Sequence, residues 1–409
     1  MKKRISSFIL LAALTLGLCG CGSMFEKEYV SVEDYVPSYQ QEQTTDEKVV
    51  VKGFVSLRQA ILRYVSEGRT EGSIVFDSDY PGDPSEDMAS ACWQIRTQNA
   101  LCAYCVDNIS YEIMHIVAYD EAVVRISYAD FGGRVEDIVQ LPFSTGLDEL
   151  VLEALSEGRR RLELYILNSS YSAESMENIV LQVYRDNPIC APREPKAKVS
   201  VYSGTGMQRL YAIEFDYGMT DDELDACRES LSELDVFKGV DVDGMNEGQK
   251  ALAACSYLVD GCDLTDAAQD NSAYSVLVNG RGNSEGLALA YVELCRELGL
   301  RCEIVYGQKD WESHCWNIVS IMGSSYHVDI TECMRRGMES GFLLNDQEMW
   351  INYRWDISSY ASCSGELSYE EVAGLPAILP GAPGADQTPS DENGGGETVE
   401  SEEKSNQGA

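Results

Sequence analysis

Apolar positions along the chain recur with helical and strand periods, and the order in which they do so repeats. "SLRQAILRYVSEG" (56–68) and "GLDELVLEALSEG" (146–158) align at an offset of 90, with Leu57, Ala60, Ile61, Tyr64 and Val65 matching Leu147, Leu150, Val151, Ala154 and Leu155. The spacing puts one apolar stripe on a helix in each copy. Gly68 and Gly158 stand where a left-handed residue closes a helix, and the short apolar runs "SIVF" and "ELYI" follow as strands. "VVRISYAD" (123–130) then aligns with "LYAIEFDY" (210–217) at an offset of 87, matching Val124, Ile126 and Tyr128 to Tyr211, Ile213 and Phe215. Their alternation is that of half-buried strands. A unit of helix, strand, helix and two strands is therefore expected twice, over 51–140 and 141–238. Neither copy offers a constellation for chemistry; His115 stands alone in an apolar strand, where a structural role is the expectation.

Beyond about residue 240 the pattern changes. "MNEGQKALAACSYLVDGCDLT" reads as an amphipathic helix and turn, and "NGRGNSEGLALAYVELCRELGLRCEIVYG" as a glycine turn, a helix and a strand. "ESHCWNIVSIMGSSYHVDIT" reads as a hairpin. With Met322 and Gly323 at its tip, facing positions sum to 645, so that Asp329 faces Trp316 and His314 is a diagonal neighbour on the same face. Asp329 is thus in reach of His314 and suited to orient it. Ser284 falls at a helix N-terminus, where the helix dipole and free N–H groups favour negative charge. By strand alternation Cys315 points away from His314's face. Cys295, eleven residues along the helix from Ser284, lies about 16 Å away at about 1.5 Å per residue.

Composition changes this picture in three ways. The formal charge of −37 over 409 residues carries no basic stripe, which excludes nucleic acid as a partner. At the N-terminus, Lys2, Lys3 and Arg4 precede an apolar run from Phe8 to Leu18 that is too short to span a bilayer, and "LCGC" ends at Cys21. This resembles a bacterial lipobox, which implies a signal peptide over 1–20, a lipid on Cys21 and a protein held on the outer face of the cell membrane. Residues 21–50 are then a tether, and 376–409, rich in Pro, Gly, Ser and Glu, an acidic tail with the composition of disorder. Fourteen cysteines, less Cys19 and Cys21, leave twelve in a compartment that permits disulfides, with no pairing legible. "CAYC" at Cys102 and Cys105 has no second CxxC, and buried small apolar residues are expected there rather than a metal or redox site. No metal or other cofactor is expected.

The segments from about 245 to 365 resemble a bacterial transglutaminase-like domain of the papain-like class. The matching motifs are the glycine-flanked helix start at Gly282 to Gly286, "HCWN" at His314 to Asn317, and "YHVDIT" at Tyr326 to Thr331. Together with the repeats this gives an α+β chain, two small α/β repeats followed by this domain over 239–375; the resemblance implies a site of His314 and Asp329 supported by Gly282, Gly286, Trp316 and Asn317. It also implies a nucleophilic cysteine at position 284, where this chain has Ser284. A thiol beside an imidazolium is stored as a thiolate; a serine hydroxyl must lose its proton during attack. The expected bland role of Ser284 is to cap its own helix. The expectation is a degenerate domain that binds peptide or cell-wall strands. The alternative is an acyl-transfer or amide-hydrolysing enzyme with a Ser284, His314, Asp329 triad, and a third reading places function in the repeats.

Overall fold

The computed structural model describes residues 48–237, 242 and 244–374. Cys21, the signal segment, residues 21–47 and the tail over 376–409 lie outside the described residues. The chain is α+β, and its described residues divide into two compact units, the first holding 48–95 together with 106–128, the second 96–105 together with the described residues from 129 to 374.

In the first unit, β1 (Lys48–Val51) pairs parallel with β2 (Glu71–Phe76), β2 pairs antiparallel with β4 (Tyr119–Tyr128), and β3 (Val106–Ile116) closes the order β1-β2-β4-β3. β1 includes residues 48–50, which the sequence reading left in the tether; the β-branched run of Val49 to Val51 gains a parallel partner that local pattern does not show. α1 (Phe54–Ser66) buries Leu57, Ala60, Ile61, Tyr64 and Val65, the stripe that its spacing predicts. His115 is not an enclosed strand histidine. It lies exposed near the hairpin end and its Nδ1 pairs with Asp120 Oδ1 across the strands at 2.6 Å.

The second unit contains a sheet of the same order. β5 (Val139–Phe143) runs parallel to β6 (Arg161–Asn168), followed by β8 (Arg209–Asp216) and β7 (Lys196–Ser203), both antiparallel. Its helix α4 (Leu147–Ser156) buries Leu147, Val151, Ala154 and Leu155. The ladders correct the strand alignment. Ser73 faces Val123 in one sheet and Glu163 faces Ala212 in the other, so the last strands are related by 89 residues and Val124 takes the place of Ile213. An offset of 87 errs by two, one full strand period, which leaves every residue on its proper face and so cannot be detected from alternation. The side chains agree with 89: the Tyr128 hydroxyl donates to the Arg69 carbonyl at 2.8 Å, and the Tyr217 hydroxyl to the Arg159 carbonyl at 3.0 Å. Both carbonyls follow the glycines that end the helices, Gly68 and Gly158, each with φ near +66°.

Around the candidate site, a five-stranded sheet has the order β14-β13-β12-β11-β15: Phe342–Leu344, Ser324–Val328, Glu312–Ile321, Cys302–Lys309 and Tyr353–Arg354. α7 (Glu247–Gly261) and α9 (Ser284–Glu297) pack on this sheet, with the short α8 (Ala273–Leu277) between them in sequence. One continuous apolar cluster runs from Leu147 of α4 through Tyr291 of α9 to Val372, so no break in the core separates the second repeat from the site domain. A smaller cluster on the other face of the sheet holds Val305, Trp316, Ile318, Met349, Tyr353 and Cys363. All twelve described cysteines are free thiols. Cys102 and Cys105 are buried in the short helix α3 (Ala100–Cys105), and burial pushes the Cys105 thiol up to about 12.

Candidate active site

The hairpin of β12 and β13 turns at Met322 and Gly323, both with positive φ, as a two-residue turn of primed type requires. Asn317 faces Val328 and Ile318 faces His327, so the facing positions sum to 645 as the spacing predicts. Asp329, just past the end of β13, presents Oδ2 to His314 Nε2 at 2.7 Å.

Asp329 is almost fully enclosed, at 1% exposure. Oδ2 also accepts from the Tyr353 hydroxyl at 2.6 Å, and Oδ1 accepts from the Glu332 N–H at 3.1 Å, which caps the helix α10 (Ile330–Arg336). Burial alone pushes the carboxyl pKa up. The His314 contact, with the Tyr353 and Glu332 hydrogen bonds, outweighs it and holds the group below its ordinary value. Tyr353 is pushed the opposite way, first by burial and then by the Asp329 charge, so it stays a donor. Nothing in the sequence pattern marked Tyr353; it lies 24 residues from Asp329 on a two-residue strand.

With Nε2 of His314 committed to Asp329, Nδ1 has no hydrogen-bond partner among the described residues. His314 lines a cavity of about 720 Å³ with Ser284, Glu285, Tyr306, Lys309, Cys315 and Thr331. Ser284 is the first residue of α9, but it does not cap it. Asn283 does, accepting from the N–H groups of Glu285 at 3.0 Å and Gly286 at 3.1 Å. The Ser284 hydroxyl is therefore released from the expected capping role and makes no hydrogen bond to His314 or to any other described residue.

The supporting residues are positioned by close packing. A Cβ on Gly286 would lie 2.6 Å from the Asp270 carbonyl oxygen, and one on Gly282 would lie 2.4 Å from Val276 Cγ2, so the turn into α9 admits neither. Asn317, fully buried, donates from Nδ2 to the Ala288 carbonyl at 2.9 Å and so ties the histidine strand to the first turns of α9. Its Oδ1 is buried without a partner among the described residues. The Trp316 indole lies nearly parallel to the His314 ring, 6.2 Å between centroids, and edge-on to Tyr353 at 5.2 Å.

Cysteine placement departs from the sequence reading at one position. Cys295 is buried in the core, away from the cavity lining, whereas Cys315 lines the cavity beside His314. Strand alternation turns Cys315 toward the α9 side, and the cavity opens at the strand's end, where both faces reach it. Burial, then the Glu285 charge, pushes the Cys315 thiol up to about 12, so it is no stored thiolate.

His327, Asp346 and Cys363 form the one cluster among the described residues with metal-ligand spacing. The chemistry of the donors opposes a metal. The Trp316 indole can only donate, and it donates to His327 Nδ1 at 3.0 Å, so the neutral ring carries its proton on Nε2, which faces Asp346 Oδ1 at 3.0 Å. A metal at Nε2 would require an imidazolate. The Asp346 Oδ2 is meanwhile held by the Ser362 hydroxyl and the Cys363 N–H.

The transglutaminase-like superfamily matches residues 236–330, a span that contains Ser284, His314 and Asp329. Residues 236–330 are a transglutaminase-like domain. Among solved structures, the chain is similar to a crystal structure described as a TGase at 11% identity, covering 55% of this chain and 66% of the other, with a TM-score of 0.24. It is also similar to a putative cysteine protease from Cytophaga hutchinsonii at 12% identity, covering 33% of this chain and 62% of that one, with a TM-score of 0.21. A putative protease from Parabacteroides distasonis aligns at 9% identity over 63% of this chain and 39% of its own, with a TM-score of 0.19. The chain thus spans less than two thirds of the length of each of these solved chains. No curated protein matches it.

Proposed function

We propose that the protein is an extracytoplasmic lipoprotein, anchored through Cys21, whose transglutaminase-like domain holds peptide or cell-envelope strands without turning them over. The observation that carries this reading is the state of position 284. His314 lines the cavity and is held by Asp329, which Tyr353 holds in turn, while Ser284, at the helix start, makes no hydrogen bond to it.

A cysteine at position 284 would exchange its proton with His314 and rest as an ion pair beside the N–H groups of the helix start. A serine hydroxyl has no such resting state; it needs a base already hydrogen-bonded to it and donors placed for the smaller oxyanion. The cavity then serves as a polar groove with a fixed imidazole in its wall.

One observation favours the enzyme alternative: the Ser284 hydroxyl is free of any capping bond and shares its cavity with the unpartnered His314 Nδ1. A fluorophosphonate probe, which traps activated serines, separates the readings. The binding reading expects no label on the parent protein. Labelling at Ser284 that disappears in His314→Ala would establish the Ser284, His314, Asp329 triad as working. The anchor is tested independently with an alkyne fatty acid in cells: the parent should carry the tag and Cys21→Ala should lose it.

A further inference from the structure

The domain's α10 side gives the cavity a wall unlike the rest of it. Thr331, Glu332, Arg335 and Arg336 of α10 line the cavity together with Lys309 from the end of β11. Thr331 is 3% exposed and its hydroxyl has no hydrogen-bond partner among the described residues. Lys309 is 9% exposed and Glu332 4%, and the two form an ion pair. Glu332 is shared with Arg336 at 3.5 Å, so one carboxylate answers two cations. Among the described residues Arg335 has a single, long ion pair of 3.9 Å, to an Asp266 carboxylate that is almost wholly in solvent.

A buried donor without an acceptor is costly, as is a buried ammonium with N–H groups to spare. Lys309 has three donors; Glu332 accounts for one, and the Tyr353 ring lies 5.2 Å away on another side. Three cations, one buried carboxylate and an unanswered hydroxyl along one wall call for an acceptor that carries negative charge. We propose that this wall is a subsite for a carboxylate of the bound ligand, held by Lys309 and Arg335 with the Thr331 hydroxyl. The rest of the lining limits the ligand's overall charge. Asp266, Glu285, Asp310 and Glu312 also face the cavity, so a polyanion is repelled and a peptide with one carboxylate on an otherwise neutral or cationic segment fits.

This inference rests on the peptide-binding reading above and sharpens it to a ligand class. A carboxylate can come from a chain terminus or from an acidic side chain, and both belong to the same chemistry. The test is titration calorimetry on the full protein with four synthetic peptides: acetyl-Lys-Ala-Ala ending in a free carboxylate, its C-terminal amide, and amidated acetyl-Lys-Glu-Ala and acetyl-Lys-Gln-Ala. At least one carboxylate peptide should bind about tenfold or more tightly than its neutral twin, the effect of one charge-assisted contact. Which pair shows the difference identifies the source. Arg335→Gln, at an exposed position that leaves the core untouched, should reduce that preference severalfold, and Thr331→Val should reduce it further without changing the affinity of the neutral twin. Equal binding of acids and neutral twins overturns the carboxylate subsite while leaving peptide binding intact. No binding by any of the four overturns both. Preference for the carboxylate that survives Arg335→Gln and Thr331→Val overturns the placement on α10.

Discussion

Two histidine–aspartate pairs stand within one domain, and they differ in everything except composition. His314 and Asp329 meet at 2.7 Å, His327 and Asp346 at 3.0 Å. The His327 ring is wholly enclosed, and both nitrogens are spoken for, Nδ1 by the Trp316 indole and Nε2 by Asp346. His314, in the cavity lining, spends one nitrogen on a buried carboxylate and leaves the other without a partner among the described residues. Trp316 separates them, stacked on the first ring and bonded to the second. A pair closed at both ends can only hold structure; a pair with one free nitrogen can receive a ligand or a proton. Chemistry here is set by which partners remain unoccupied, not by residue type.

Removing a carboxylate from each pair should give the largest and most unequal effects. Asp329→Ala strips His314 of its buried anionic partner and orphans the Tyr353 hydroxyl, for an expected loss of about 3–5 kcal/mol in urea unfolding. Asp346, partly open to solvent, should cost about 1–3 kcal/mol when replaced by alanine. Equal losses would mean that the two pairs are energetically alike.

Trp316→Phe tests the element between them. It preserves most of the ring packing but leaves His327 Nδ1 buried without its donor, at a cost of about 1–3 kcal/mol. Imidazole nitrogen shifts in the NMR spectrum should show the His327 tautomer loosened and that of His314, fixed by Asp329, unchanged. A change confined to His314 would reverse the assignment of roles.

Acid should separate the pairs more gently. Burial holds the His327 pKa below its ordinary 6.5, so the unfolded chain takes up a proton first and stability falls as pH drops below about 6.5. Asp329 is held below its ordinary 3.8, so its contribution is complete above that value and is lost as pH falls through the lower folded-state value. The stability profile should therefore decline in two stages, and His327→Gln should flatten the upper one alone. A single stage near pH 4 in the parent would remove His327 from the account.

Ser284→Cys should scarcely change stability, within about 0.5 kcal/mol for a half-buried position with no hydrogen bond to lose. Its signature is chemical. The new thiol should react with iodoacetamide well below pH 8.5, the ordinary thiol value, and His314→Ala in the same protein should abolish the shift. Cys315, in the same cavity with its thiol pushed up to about 12, supplies a silent internal reference. A cysteine at 284 that titrates like a free thiol would show that His314's open nitrogen does not address that position.

Local periodicity carried a large part of this protein. The helix stripe of α1 is a matter of 3.6-residue spacing, and the pairing of His314 with Asp329 follows once a two-residue turn at Met322 and Gly323 sets the hairpin register. Both depend on residues close in the chain, whose geometry is nearly independent of the rest. The same period of two concealed the error in the repeat alignment, because a shift of two residues preserves the face of every side chain. What needed the tertiary structure involves partners far apart in sequence: Tyr353 on Asp329, Lys309 on Glu332, and the core shared by the second repeat and the site domain. It also decided competitions between neighbours. Asn283 rather than Ser284 caps α9, and Cys315 enters the cavity because its strand ends there. Spacing fixes which way a side chain points from its own element; only packing fixes what it meets and what is left unmet.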